Sequence, residues 1–206
     1  MKNNEIEPSN PEASSDDRAN TVAPSQRQRD ELATHIIMMC RTHGFYLAAA
    51  ESLTGGLLAD AFVRIPGASD VFLGSAVTYD IAAKASILHV DEYILDTAGA
   101  VDPRVAAQMA QSTAHLYERD DIRGRVFGLS TTGVAGPGPD GDKPAGMVYV
   151  GIYSPLNDAE SEAASAHTVS YRLQLEGSRE CVRLQTVHHV LTYLEQALES
   201  ATRRLQ

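Results

Sequence analysis

The sequence predicts an α/β protein, a three-layer α/β/α sandwich built on a mostly parallel, mixed sheet. Three observations carry this. Short apolar runs of strand length alternate with helical patterns along the chain. The first of these runs stops at a polar, glycine-paired hinge, Glu51-Ser52-Leu53-Thr54-Gly55-Gly56, and an apolar helical pattern opens at once with Leu57-Leu58. Residues 167–175 instead alternate apolar and polar, as an antiparallel edge strand does.

At 206 residues with a hydrophobic share of 43%, a single domain with a proper core is expected. Residues 1–26 are rich in Asn, Ser, Pro, Glu and Asp and nearly devoid of large apolar side chains. They read as a disordered acidic tail, because such a segment cannot bury enough surface to offset its ordering entropy. The domain is therefore placed at residues 27–206. A net charge of -10 argues against a nucleic-acid partner, since phosphate neutralisation needs a basic surface. No apolar run approaches the roughly 18 residues of a membrane span, and no signal-peptide core is present. A soluble cytoplasmic protein without a membrane partner is expected. Cys40 and Cys181 have no metal-ligand spacing and read as buried, reduced packing residues.

Residues 26–43 form a helical pattern in which Leu32, Ile36 and Cys40 recur every four positions, and Gly44 is suited to end it. Residues 45–50 read as a buried central strand. The second helix runs from residue 54 or 55 to 64, where Pro66-Gly67 breaks the pattern. Residues 71–79 read as a strand with a bend at Gly74, residues 80–88 as a short helix carrying Lys84, and residues 89–98 as a variable stretch. Asp102 and Pro103 open a convincing helix as N-cap and first residue. Residues 125–130 are a strand that leads into a second hinge, Thr131-Thr132-Gly133-Val134-Ala135-Gly136-Pro137-Gly138, and then a polar loop. Residues 147–153 are another strand. In the edge strand, Val169, Tyr171, Leu173 and Leu175 share a face. Ser178 is the expected N-cap of the last helix, which runs to about Arg204.

Several familiar motifs fail. Gly136 and Gly141 have P-loop spacing, but Asp142 precedes Lys143 and Pro144 follows it, so no Lys-hydroxyl pair can serve phosphate and magnesium. No dinucleotide-binding glycine pattern follows the first strand. Tyr79 and Lys84 are one residue too far apart for the pair of short-chain dehydrogenases. Ala50 stands where a Gly-x-Ser-x-Gly nucleophile turn needs glycine. The seven histidines show no ligand spacing, and no metal is expected.

What remains is a pair of glycine-rich hinges with hydroxyls at strand ends. Each hydroxyl alone could be a helix cap. Two such hinges in one sheet favour a ligand site, because ligands of open α/β sheets bind at the carboxyl ends of strands and glycines let backbone approach a phosphate. Ser52 reads as a nucleophile or ligand-binding hydroxyl. Lys84 is either a solvated helix residue or a desolvated base. Tyr79 is either a packing residue or a site group. Arg179 either pairs with Glu176 or Glu180 or holds a phosphate.

Six blocks together carry a resemblance: AESLTGG at residues 50–56, VTYDIAAK at 77–84, GAV at 99–101, TGVAGPG at 132–138, KPAG at 143–146 and GSRECVR at 177–183. In order and spacing they resemble the CinA C-terminal domain family of nicotinamide-nucleotide amidohydrolases, over roughly residues 28–200. The chain looks like a stand-alone form, without the molybdopterin-binding-like domain of full-length CinA.

The resemblance implies hydrolysis of the carboxamide of nicotinamide mononucleotide to nicotinate mononucleotide and ammonia, with no metal or organic cofactor. Ser52 would be the nucleophile and Lys84 its base. Tyr79, Thr132 and Arg179 would complete the site as substrate-contacting or proton-handling groups. Glu51, Thr54, Gly55, Gly56, Gly133 and Gly136 are the further substrate-side candidates, with backbone N–H groups near Gly55-Gly56 or Gly133 facing the oxyanion. Ser178 departs from the aspartate usual before that arginine, and Asp80 from the usual Ser or Thr. A non-catalytic nucleotide-binding module and a generic α/β protein with capped helices remain as alternatives. Apolar surface on the terminal helices predicts a homo-oligomer, a dimer. The mechanism requires Ser52 Oγ near the Lys84 ammonium, across a pocket walled by Thr132 and Gly133.

Overall fold

The computed structural model describes residues 22–155 and 168–205. The tail expected at residues 1–26 lies outside the described residues except for its last five, as does His167 of the expected edge strand. In chain order the elements are α1 (Gln26–His43), β1 (Tyr46–Glu51), α2 (Leu57–Val63), β2 (Phe72–Val77), α3 (Ile81–Leu88), α4 (Glu92–Ala98), α5 (Pro103–Tyr117), β3 (Val126–Gly133), β4 (Met147–Tyr153), β5 (Thr168–Gln174) and α6 (Arg179–Arg204). Single 3₁₀ turns cover Ala68–Asp70 and Asp120–Ile122.

The sheet order is β2-β1-β3-β4-β5. β2, β1 and β3 are parallel, whereas β4 and β5 add antiparallel to β3 and β4. The three-layer mixed sandwich is thus as the sequence predicts, with β5 on the edge. Side-chain alternation divides the core. Leu47 and Ala49 of β1 and Phe127 and Leu129 of β3 face α1, α2 and α6. Ala50, with Ala76 beside it, faces α3, α4 and α5, which supply Leu88, Leu95, Val105 and Met109. β1 itself is YLAAAE: its small residues let helices approach both faces, and Thr113 of α5 bonds the Ala49 carbonyl. The layers pack tightly at Gly128, where a Cβ would lie 1.9 Å from the Ala110 carbonyl oxygen.

Several ends follow their expected caps. Gly44 ends α1 at φ 70°, and Asp102 and Ser178 cap α5 and α6; Ser25, not anticipated as a cap, forms a capping box with Gln28 at the start of α1. The stretch at residues 89–98 is the exception. It contains α4, capped by Asp91, whose side chain accepts from the Tyr93 N–H. Its brevity left only Ile94 and Leu95 as buried markers, too few for a helical period to stand out. β3 also runs three residues further than expected, to Gly133, because β4 pairs with Thr131, Thr132 and Gly133. Cys40 and Cys181 are both buried. Among the described residues no helix is long and apolar enough to cross a membrane.

Candidate active site

The carboxyl ends of β2, β1 and β3 lie side by side. Glu51 is in register with Val77 and with Thr131. The ladder extends one residue further through Thr78 N–H to Glu51 O, 2.9 Å, and Ser52 N–H to Thr131 O, 3.0 Å. Thr78, Ser52 and Thr132 therefore form the next row, on the α3–α5 face, while Glu51 and Thr131 face α2. Adjacent residues of one hinge thus serve opposite faces of the sheet.

On the α3 side, Lys84 reaches back from its helix. It is fully buried. Its Nζ lies 3.1 Å from Ser52 Oγ, 2.6 Å from the Thr78 carbonyl oxygen and 3.4 Å from that of Tyr79. Burial lowers its pKa from 10.5 to about 8, against a smaller opposing pull from Asp80. With two N–H groups directed at carbonyl oxygens, the neutral amine turns its lone pair towards Ser52. That is the geometry of a base for a hydroxyl nucleophile. Ser52 retains a small exposure of 8%. Thr132 is buried next to it, and its hydroxyl donates to the Ala100 carbonyl, 2.7 Å.

Beside this pair, a cleft of about 230 Å³ is lined by Leu53, Tyr79, residues 133–140 and Arg179. Arg179, in the first turn of α6, donates to the Gly136 carbonyl at 2.6 Å and to Tyr79 Oη at 3.0 Å. It therefore makes neither of the ion pairs considered for it. Glu180 instead pairs with Arg183. Tyr79 is 62% exposed, a cleft-mouth residue and not a packing one. Gly133 and Gly136 line the cleft and Thr132 does not.

The α2 side differs from expectation. The α2 N-terminus is not open to a ligand anion, because Glu51 already fills it. The Glu51 carboxylate is fully buried and accepts from the N–H groups of Gly56, Leu58 and Ala59 and the hydroxyls of Thr54 and Ser75. Glu51 and Thr54 thus face the protein interior, where an intrachain anion neutralises the helix terminus. Gly55 N–H is taken by Ser52 O, 3.2 Å, so neither Gly55 nor Gly56 offers an oxyanion donor. The N–H groups of Leu53 and Thr54 have no protein acceptor among the described residues.

Ser75, Thr131 and Arg183 were not legible as functional. Arg183 bonds the carbonyls of Leu53 and Thr54, 2.9 Å each, and so braces the Ser52 loop. Its place four residues after Arg179, on one helix face, was a usable signal. Ser75 and Thr131 gave none, since their roles depend on strand register. No three metal-ligating side chains converge among the described residues.

The family model of the CinA C-terminal domain matches residues 29–198. The chain belongs to that family. A CinA-like protein of Frankia casuarinae is 40% identical over 152 residues, which are 74% of this chain and 31% of that protein. A protein of Caldanaerobacter subterraneus subsp. tengcongensis with a competence-damage-inducible name is 39% identical over 82% of this chain and 38% of its own length. The chain thus spans about a third of the length of these curated relatives, 31% and 38%. Among solved structures, the competence/damage inducible protein CihA from Agrobacterium tumefaciens superposes with a TM-score of 0.72 at 30% identity, covering 86% of this chain and 98% of that one.

Proposed function

We propose that this CinA-family domain hydrolyses the carboxamide of nicotinamide mononucleotide, giving nicotinate mononucleotide and ammonia. The observation that carries the reading is the buried Lys84 amine, 3.1 Å from Ser52 Oγ and lowered in pKa to about 8. In this reading Lys84 takes the Ser52 proton as Oγ attacks the amide carbon. The tetrahedral oxyanion is met by backbone N–H groups, with Leu53 N–H, next to the nucleophile, the leading donor. Lys84 then protonates the departing nitrogen, and ammonia leaves an ester on Ser52. Water, deprotonated by Lys84, attacks that ester and restores Ser52. No step requires a metal or an organic cofactor. Arg179 and the glycine-rich loop at residues 133–138 suit the phosphate, and Tyr79 holds Arg179 at the cleft mouth.

The test is ammonia release from nicotinamide mononucleotide by purified protein without added metal. Release that stops in Ser52→Ala and Lys84→Ala is the expected result. A protein that is stabilised thermally by the nucleotide yet releases nothing is a binding module and overturns the proposal.

A further inference from the structure

Glu51 and Ser52 are joined by a second route besides the chain itself. Thr54 Oγ1 donates to Glu51 Oε2 at 2.7 Å. Its single proton is thereby used, so in the 2.8 Å contact with Thr131 Oγ1 it can only accept. Thr131 then has its own oxygen free to accept, and the Ser52 N–H lies 3.4 Å away, sharing its proton with the Thr131 carbonyl. Each hydroxyl has one proton and each direction follows from the last. The run is Ser52 N–H to Thr131 to Thr54 to Glu51, and it ends on a group that only accepts.

The same carboxylate holds the Gly56, Leu58 and Ala59 N–H groups and the Ser75 hydroxyl. All five of its partners are donors. The site suits a carboxylate and not an amide. An amide nitrogen there would face a donor. If it turned to Thr54, it would also reverse the run: Thr54 would donate to Thr131, and Thr131 would point its proton at the Ser52 N–H. Buried networks of this kind have a large penalty when one member is reversed.

We infer that Glu51 is a positioning residue of the reaction: through Thr54 and Thr131 it sets the peptide plane that carries Ser52. The substrate-facing role given to Glu51 and Thr54 is replaced by this one. The inference rests on the amidohydrolase reading only in taking Ser52 as the reacting hydroxyl. A shift of that plane moves Oγ relative to Lys84 and to Leu53 N–H, and small misplacements are enough to slow a positioned reaction severely.

The experiment compares Glu51→Gln, Thr131→Val and Thr131→Ser with the parent protein in two assays. One is ammonia release from nicotinamide mononucleotide. The other is covalent labelling of Ser52 by an alkyl phosphonofluoridate, which needs no natural substrate and releases fluoride as the P–O bond forms. Glu51→Gln is expected to lower kcat by about 100-fold with KM within about twofold. Thr131→Val should lose about tenfold in kcat and in labelling rate, and Thr131→Ser, which restores the hydroxyl, should recover both. Equal rates for the Val and Ser variants, or a folded Glu51→Gln protein with parental kcat, overturn the inference. If Glu51→Gln does not fold, the Thr131 pair decides. If the parent releases no ammonia, the amidohydrolase reading fails, and the labelling rates alone decide the role of Glu51.

Discussion

Lys84 Nζ and Ser52 Oγ lie 3.1 Å apart with Lys84 fully buried, although 32 residues separate them in the chain. β1 and β2 bring them together: β2 pairs parallel to β1, and α3 follows β2 directly over the face that Ser52 occupies. Among the described residues no carboxylate is hydrogen-bonded to the ammonium form, whose partners are Ser52 Oγ and two carbonyl oxygens, and burial works against its charge.

Replacing Lys84 should separate activity from stability. Lys84→Met keeps the apolar stem and removes a buried charge. We expect ammonia release to fall at least about 1000-fold, with stability unchanged or raised by about 1 kcal/mol. Thermal unfolding of the variant beside its parent checks this. A large loss of stability would mark Lys84 as a structural residue.

The pH profile should follow the lysine. The base must be neutral, so kcat/KM should rise with pH through an apparent pKa near 8, and no such limb should survive in a residual Lys84→Ala activity. Stability responds in the same window. Below about pH 8 folded and unfolded chains both carry the proton, and the folded chain bears the full penalty of a buried ammonium. Between about 8 and 10.5 the unfolded chain binds more proton, so stability rises with pH. The gap between Lys84→Met and its parent should therefore narrow as pH rises through this window, as measured by denaturant unfolding.

Arg179 should act on binding. It is anchored by the Gly136 carbonyl and Tyr79 Oη and faces the cleft. Arg179→Ala is expected to raise KM for nicotinamide mononucleotide by about 10- to 100-fold, with kcat within about threefold. The unphosphorylated nucleoside should be hydrolysed equally by both proteins. A penalty for both substrates would remove the phosphate from the account.

Gly128→Ala tests the packing that carries the site. The new Cβ would meet the Ala110 carbonyl oxygen at 1.9 Å, and both partners are backbone held in a strand and a helix. A loss of about 3 kcal/mol or more is expected, a fall in Tm of roughly 10 °C, measurable by calorimetry. A shift within about 2 °C would show that α5 can slide on the sheet.

The order of strands and helices, the antiparallel edge and most helix ends were legible in the amino-acid sequence. These depend on local period, caps and breakers, which are written within a few residues of where they act. Ser52 stood out at a strand–helix hinge, whereas Lys84, Tyr79 and Arg179 were ambiguous by themselves and were joined to it by the resemblance to the CinA family. α4 escaped because a short helix shows too little of its period. Which way each hinge residue faces emerged from the packed fold. Glu51, Ser52 and Thr54 look alike as a polar run, yet strand alternation sends Glu51 towards α2 and Ser52 towards Lys84. Ser75, Thr131 and Arg183 acquire their partners from strand register and helix packing across 24, 77 and 130 residues. Contacts at such separations are set by how the layers stack; the i, i+4 spacing of Arg179 and Arg183 hints at a shared helix face, but no local pattern names the partners.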